Sequence, residues 1–359
     1  MNDDFVTRLR FQLREAAARE SRRGPVARAA VATRRRVGSQ PALVGAVLAC
    51  ALAIVGAVTL TALQRAQPPV EQAVPPGHRL TLVYHGPLVT QGGALAPGFG
   101  SVWASDAGTG ELLRIDPRTR RVLARVPLGD QALPDAGAGA LWATAGGRLI
   151  RIDPTTNRVS ARIALGLGAR VIAGVSAERG VVWVPSPLEL LRIDPRRNAI
   201  DRRIGLEHQG FQANGFATDG TLLYVLRADR VLRTLDATTG AQVSSTRLGF
   251  DAFLIGAAHG AVVLADGSDV RAVDARTGRT LWRTNIGAER VNDGVLADGS
   301  VWIHATDSNA NHDRLLRLDA GDGQMTGSLT LAEFGVAGFV AVAGDAWIVS
   351  PNGHLTIAR

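Results

Sequence analysis

The chain has 359 residues, of which 46% are hydrophobic and 5% aromatic, and its formal net charge is +8 at pH 7. That charge is uneven, because residues 1–40 hold ten arginines against four acidic residues, whereas residues 78–359 carry a net charge of only +2. This distribution argues against a basic nucleic-acid-binding surface on the main domain, so we expect no nucleic-acid partner. The only cysteine, Cys50, excludes a disulfide within the chain.

Residues 1–40 form a basic tail in which a short helix is predicted. Two aspartates near the start can cap the helix, and Phe5, Leu9 and Leu13 recur at the spacing of one apolar stripe. A basic amphipathic helix of this kind lies on the inner membrane face or docks a cytoplasmic partner. The favoured interpretation, however, is that the tail determines membrane topology and that its helical pattern is incidental.

Residues 41–63 read PALVGAVLACALAIVGAVTLTAL, an uncharged run of 23 residues. Because about 20 apolar residues suffice to cross a bilayer, this run predicts one transmembrane helix. The preceding RRRVG and the basic tail place the N-terminus in the cytoplasm and the following domain outside it. A cleaved signal peptide is the alternative. Residues 64–77, with two Pro-Pro pairs, are predicted to be a linker.

Residues 78–359 repeat one phrase six times, in forms such as RLIRIDPTTNRVSARIALG and DVRAVDARTGRTLWRTNIG. The repeated aspartates are 37 to 45 residues apart. This period, with strand-like segments only, is typical of a β-propeller with one blade per repeat. The aspartates are predicted to accept hydrogen bonds from turn amides rather than to take part in chemistry. They are Asp116, Asp153, Asp194, Asp236, Asp274 and Asp319.

A second landmark gives the number of blades. An apolar strand, usually with a central Trp, recurs seven times at intervals of 38 to 45 residues, from GSVWAS to DAWIVS. The repeated phrase is complete only six times, so the last of the seven blades lacks an outer strand. A spare strand, HRLTLVYHG, precedes the first blade. We therefore predict an all-β, seven-bladed propeller over residues 78–359, in which the strand 78–86 closes the last blade.

The predicted strand order in each blade is inner strand, Trp strand, Asp strand, outer strand. The loops after the outer strand and those between the Trp and Asp strands then share one face, which we name the loop-rich face. Loops on a rigid scaffold commonly carry function, so this face is the predicted binding surface. Its side chains suit a polar ligand or a peptide, and ordinary solvated loops are the alternative. The candidate residues are His208, Phe211, Gln212, Asn214, Asp251, Phe253, Arg290, Asn292, Asp293 and Arg170.

Blade 6 carries an insertion, TDSNANHDR, whose oxygen-bearing residues follow the spacing at the start of a calcium-binding loop. His312 stands where that loop needs Gly, and no Glu follows at its twelfth position. These departures favour a longer polar hairpin tip, and calcium binding or a transition-metal site that uses the histidines at 304 and 312 are the alternatives. The candidate calcium ligands are Asp307, Asn309, Asn311 and Asp313.

The repeats resemble YncE-like and PQQ-like propeller repeats. Blade 5 shows the PQQ-like pattern in VDARTGRTLWRTNIG, and the first three blades are similar to the YncE-like type through their IDP triplet. This resemblance implies a propeller fold, and its relatives include quinoprotein dehydrogenases and outer-membrane assembly scaffolds. The chain also resembles streptogramin lyases, although their E-x-H tripeptide is absent.

These observations favour a binding or scaffolding module over an enzyme. No G-x-S-x-G, P-loop, H-E-x-x-H or C-x-x-C pattern occurs. We expect a single-pass membrane protein whose external propeller binds a protein or a cell-envelope ligand, without a required cofactor. One alternative is a propeller enzyme, quinoprotein-like or lyase-like, with PQQ or calcium. The other is an envelope sensor that signals through the tail.

Overall fold

The structure is a computed structural model that describes residues 79–166, 176–178, 180–186, 189–206, 211–287, 289–307, 312–333 and 335–359. Within these ranges the chain forms seven four-stranded antiparallel sheets. The predicted tail 1–40, membrane span 41–63 and linker 64–77 lie outside the described residues. In the part of the chain that is described, no helix is long and apolar enough to cross a bilayer.

Each sheet is one blade, with strands listed from the axis outwards. Blade 1 contains β2 (Gly92–Gly98), β3 (Ser101–Asp106), β4 (Glu111–Ile115) and β5 (Val122–Pro127). Blade 2 contains β6 (Leu133–Gly137), β7 (Ala140–Ala145), β8 (Arg148–Asp153) and β9 (Arg158–Ala164). Blade 3 contains β10 (Ser176–Glu178), β11 (Val181–Pro185), β12 (Glu189–Asp194) and β13 (Ala199–Gly205). Blade 4 contains β14 (Phe211–Thr218), β15 (Leu222–Arg227), β16 (Val231–Asp236) and β17 (Gln242–Arg247).

The remaining three blades follow the same order. Blade 5 contains β18 (Phe253–Ala258), β19 (Ala261–Asp266), β20 (Asp269–Asp274) and β21 (Thr280–Asn285). Blade 6 contains β22 (Glu289–Ala297), β23 (Ser300–Asp307), β24 (His312–Asp319) and β25 (Met325–Thr330). Blade 7 contains β26 (Gly338–Val342), β27 (Asp345–Val349), β28 (His354–Ala358) and β1 (Leu82–Pro87). The first strands of successive blades contact one another, which places them innermost. The predicted seven-bladed propeller is confirmed.

The ring closes through its N-terminal strand. β1 pairs antiparallel with β28, with Tyr84 opposite Ile357 and His85 opposite Thr356, so the predicted closure of blade 7 is confirmed. The chain just before β1 also reaches blade 6, where the Leu80 N–H donates to the Ser328 carbonyl at 3.1 Å. The closing segment therefore connects blade 6 to blade 7 as well as completing blade 7.

The core consists of seven apolar clusters among the described residues, and each cluster lies between two neighbouring blades. Between blades 1 and 2, for example, Trp103 and Leu112 pack with Leu141 and Ile150. The aromatic residues of the second strands are at most 2% exposed, so their predicted packing role is confirmed. They are Trp103, Trp142, Trp183, Tyr224, Trp302 and Trp347.

The repeated aspartates close the turn between the third and fourth strands. Asp116 accepts the N–H groups of Arg118 and Thr119, each at 2.8 Å, and these bonds hold the pKa of its carboxyl below the usual range. The predicted structural role is confirmed, because turn N–H groups donate in the same way to the other repeats. These acceptors are Asp153, Asp194, Asp236, Asp274 and Asp319.

Arginines on the third strands connect neighbouring blades in the same repeating way. The Arg114 guanidinium lies 5.3 Å from the Trp103 ring centroid, within cation–π range. It also donates to the Pro154 carbonyl at 2.5 Å and to Asn157 Oδ1 at 3.0 Å in the next blade. Arg151 makes the equivalent two bonds from blade 2 to blade 3. The repeated phrase therefore encodes contacts between blades as well as turns within them.

Candidate functional site

Blade 6 presents a polar pocket of about 500 Å³ toward the loop-rich face. The pocket lies where β22 and β23 approach that face, beside the loop from β25 to β26. Three predicted binding residues, Arg290, Asn292 and Asp293, share it with Asp313 of the predicted calcium group. The complete lining is Arg290, Asn292, Asp293, His304, Thr306, Asp313, Gly335 and Val336.

Strand register brings these side chains together. Asp293 lies opposite His304 in the β22–β23 ladder, and Thr306 lies opposite Asp313 in the β23–β24 ladder. Successive side chains of a strand alternate between its two faces. The register of β22 shifts immediately before Asp293, and such an irregularity re-aims side chains, so the adjacent Asn292 also lines the pocket.

His304 and Asp313 form a buried pair in the pocket wall. His304 Nε2 lies 2.7 Å from Asp313 Oδ2, and the side chains are 5% and 0% exposed. The Asp313 carboxylate also accepts the Thr306 hydroxyl at 2.6 Å and the Gly335 N–H at 2.7 Å. Burial alone would raise the pKa of Asp313, but these hydrogen bonds outweigh burial and hold it below its usual range.

The pKa of Asp293 is shifted in the opposite direction to that of Asp313. Burial raises the pKa of its carboxyl above the usual range, while the Gly294 N–H and the His304 imidazole oppose that effect without cancelling it. Asp293 Oδ1 accepts the Gly294 N–H at 2.7 Å. The surroundings in the pocket therefore stabilise the anion of Asp313 and destabilise the anion of Asp293. The His304 imidazole lies close to both carboxyls.

The pocket rim supplies hydrogen-bond donors. Arg290 and Asn292 are both exposed. Asn292 Nδ2 also donates to the Thr306 hydroxyl oxygen at 2.5 Å, which fixes the amide above the buried pair. A guanidinium and an amide at the mouth of a pocket favour a ligand that carries acceptor oxygens, such as a carboxylate or a peptide carbonyl.

The other predicted binding residues are distributed differently. Asp251 receives two bonds from Arg230, at 2.7 and 2.6 Å, in an exposed bidentate pair. Phe253 is partly buried and packs against the apolar cluster between blades 5 and 6. Arg170 and His208 lie outside the described residues. The structure gives only the backbone of Phe211, Gln212 and Asn214, within β14.

The insertion in blade 6 lengthens one hairpin. β23 and β24 have eight residues each, against six and five for the corresponding strands of blade 1. Asp307 lies opposite His312 at the end of this ladder, and the candidate ligands Asn309 and Asn311 lie outside the described residues. The Asp313 carboxylate is already engaged by its three donors. Calcium binding at this hairpin stays a prediction.

Sequence reasoning did not assign Thr306 and Gly335 to the pocket. Thr306 could have been found, because strand alternation from the Trp302 landmark places residues 304 and 306 on one face of β23. Gly335 could not, because it reaches Asp313 through a loop of irregular backbone that no periodic pattern describes.

Comparison with known proteins agrees with this architecture. The family described as outer membrane protein assembly factor BamB matches residues 209–353, which span blades 4 to 7 up to the final strand. The crystal structure of BamB from Moraxella catarrhalis aligns with a TM-score of 0.55 at 15% identity, covering 78% of this chain and 99% of that chain. No curated protein matches the sequence. The comparisons support the propeller fold and the PQQ-like repeats, whereas the YncE-like resemblance and the membrane anchor stay predictions.

Proposed function

We propose that this chain is a membrane-anchored β-propeller that holds a protein or cell-envelope partner on its loop-rich face, outside the cytoplasm. The observation that carries the proposal is the blade 6 pocket, where exposed hydrogen-bond donors lie beside a buried His304–Asp313 pair whose carboxylate is held by three contacts. A recognition site needs such rigid support, because a preorganised site loses less entropy when a partner binds.

The family match favours a protein partner over a small metabolite. It covers the blade that contains the pocket, and its description names an assembly factor of outer-membrane proteins. The open, shallow form of the site agrees with this choice, since small-molecule pockets enclose most of their ligand. The partner's contact would therefore be an acidic side chain or an exposed strand segment that offers carbonyl oxygens to Arg290 and Asn292.

Membrane attachment follows from the uncharged run at 41–63, which is long enough to span the bilayer. The basic segment before it orients the propeller outward. The linker 64–77, with its two Pro-Pro pairs, would then separate the predicted span from the propeller.

The proposal is tested by co-purification of the full-length protein, extracted gently in detergent, with comparison of wild type, Arg290→Glu and Arg276→Glu. Arg276 is also exposed, but it lies on the turn between β20 and β21, on the opposite face of the ring. The two variants therefore change charge equally on the two faces. We expect Arg290→Glu to deplete the partner at least tenfold, the effect of losing about 1.4 kcal/mol of binding free energy.

Equal recovery of the partner by Arg290→Glu and wild type would remove the pocket from the binding surface. Equal depletion by both variants would assign the effect to overall charge. Absence of any stoichiometric protein from wild-type membranes would contradict the scaffold function itself.

A second candidate is catalysis at Asp293, because a carboxyl with a raised pKa beside a buried imidazole is a common feature of active sites. Mass spectrometry of small molecules released from the purified protein separates the two functions. A bound metabolite or quinone that disappears in Asp293→Asn would favour the enzyme, and its absence from wild type would favour the scaffold.

A further inference from the structure

Two histidines and a glutamate meet at the seam where the ring closes. His85 belongs to β1, His354 to β28 and Glu333 to the loop between β25 and β26. One ligand atom from each residue lies within 4.8 Å of the other two. The cluster, which we name the seam triad, therefore joins the two ends of the propeller and the last blade connection.

The contacts inside the seam triad converge on one carboxylate oxygen. His354 Nδ1 contacts Glu333 Oε1, and His85 Nε2 lies 3.7 Å from the same oxygen. The two imidazole rings are 5.5 Å apart at an interplanar angle of 80°, so they meet edge to face instead of stacking. Both rings thus direct a nitrogen to the same point.

The surroundings of the triad support a cation at that point. Glu333 Oε2 is buried and makes no hydrogen bond of standard geometry among the described residues, although the Ser350 side chain lies close enough to contribute a hydrogen bond to Glu333. The Nδ1 atom of His85 lies 3.0 Å from the Thr356 hydroxyl oxygen. A hydrogen bond to the second ring nitrogen is the usual device that orients a metal-binding imidazole.

We propose that the seam triad, His85, Glu333 and His354, is a binding site for one divalent transition-metal ion. Two imidazoles and one carboxylate suit zinc and its neighbours rather than calcium or magnesium, which prefer oxygen ligands alone. On a tetrahedral zinc ion with bonds of about 2.0–2.2 Å, ligand atoms lie about 3.3–3.6 Å apart. Side-chain movements of about 1 Å bring the triad to that spacing, and water completes the coordination.

A metal at this place would act as a clamp on ring closure. The ion would connect β1 to β28 and to the loop that follows blade 6, and so would join segments from the start and the end of the propeller. Binding to the folded ring but not to the unfolded chain raises stability, and the gain grows with the logarithm of the free metal concentration relative to the dissociation constant. With one cysteine in the sequence, this chain has no disulfide that could serve the same purpose.

The experiment uses the full-length protein in mild detergent, stripped with EDTA and titrated with Zn²⁺ alone by calorimetry. The variants are Glu333→Gln and His354→Ala. His259→Asn is the matched control, because His259 lies in a turn on the opposite face with φ 51°, a conformation that Asn tolerates. We expect one Zn²⁺ per chain in wild type and control, and at least tenfold weaker binding in both seam variants.

A second readout keeps the test informative if a seam variant is less stable. Zn²⁺ should raise the melting temperature of wild type and control above their EDTA-treated values, and should raise that of Glu333→Gln by clearly less at the same zinc concentration. Zinc uptake that persists undiminished in both seam variants would overturn the proposal, as would the absence of stoichiometric binding to wild type. Neither readout depends on a partner protein, so the result is separate from the proposed function.

Discussion

Asp106 offers a sharp test of how the closing strand is held. It ends β3 and is 1% exposed. Its carboxylate accepts the Thr90 N–H at 2.9 Å, the Thr90 hydroxyl at 2.6 Å, the Gln91 N–H at 3.2 Å and the Gly108 N–H at 3.0 Å. Thr90 and Gln91 lie between β1 and β2, where the chain passes from blade 7 into blade 1. The Asp106 carboxylate therefore holds the backbone in place where the chain leaves the closing strand, β1.

The size of its contribution follows from its pKa. Burial would raise the pKa of Asp106, but the four hydrogen bonds outweigh burial and lower it from 3.8 to about 2. At about 1.4 kcal/mol per pKa unit, this difference corresponds to about 2 kcal/mol of stability. Because the folded-state pKa is the lower one, the contribution is complete above the unfolded value of 3.8 and is lost as pH falls toward 2. Roughly half is lost by pH 3.

We therefore expect Asp106→Asn to lower the free energy of unfolding by about 2 kcal/mol at pH 7 and by only about 1 kcal/mol at pH 3. Urea unfolding followed by Trp fluorescence measures both values. Asp298→Asn is the control, because it removes one charge from an exposed turn. The reasoning fails if Asp106→Asn and wild type have the same free energy of unfolding at pH 7. It also fails if the stability difference between the two proteins is the same at pH 7 and pH 3.

Two further predictions concern the closing segment and the pocket. Removal of residues 79–87 should lower the melting temperature of the whole ring, because it exposes β28 and deletes the Leu80 contact with blade 6. Circular dichroism measures this temperature, and a melting curve equal to that of wild type would contradict the prediction. Asp313→Asn should speed hydrogen exchange at the Gly335 N–H, because that group loses a charged acceptor at 2.7 Å. Exchange at the Gly278 N–H in blade 5 should stay unchanged and serves as the control. Equal exchange at Gly335 in the variant and in wild type would show that other contacts hold the loop.

The architecture was predictable because the repeat is written in local patterns. The Asp turn, the apolar second strand and the alternation within each strand all act within about 20 residues, and the phrase recurs often enough to fix the period. For blade 2 the phrase RLIRIDPTTNRVSARIALG predicts an Asp strand at about 148–153 and an outer strand at about 158–164, and these coincide with β8 and β9. Even the closure could be inferred, because counting strands leaves one spare at the start and one deficit at the end.

The candidate site was predictable only in part. The composition of one loop predicts three binding residues, Arg290, Asn292 and Asp293. Strand pairing brings them to Asp313, which the sequence indicates only as a candidate calcium ligand. The seam triad gave no local signal, since His85 and His354 come from opposite ends of the propeller. Side chains that meet only through ring closure have no fixed spacing in sequence, so no periodic reading detects them.

The loop from β25 to β26 connects these two sites, and this connection determines how variants must be compared. Its Glu333 belongs to the seam triad, while its Gly335 N–H donates to Asp313 in the pocket wall. The Leu331 N–H also donates to the Asp313 carbonyl at 2.8 Å, so the loop is attached to β24 at two points. A change at Glu333 can therefore affect the pocket, because Gly335 is only two positions further along the same loop. Arg290 has no part in the seam triad, so partner binding is best assigned with Arg290→Glu and metal binding with His354→Ala.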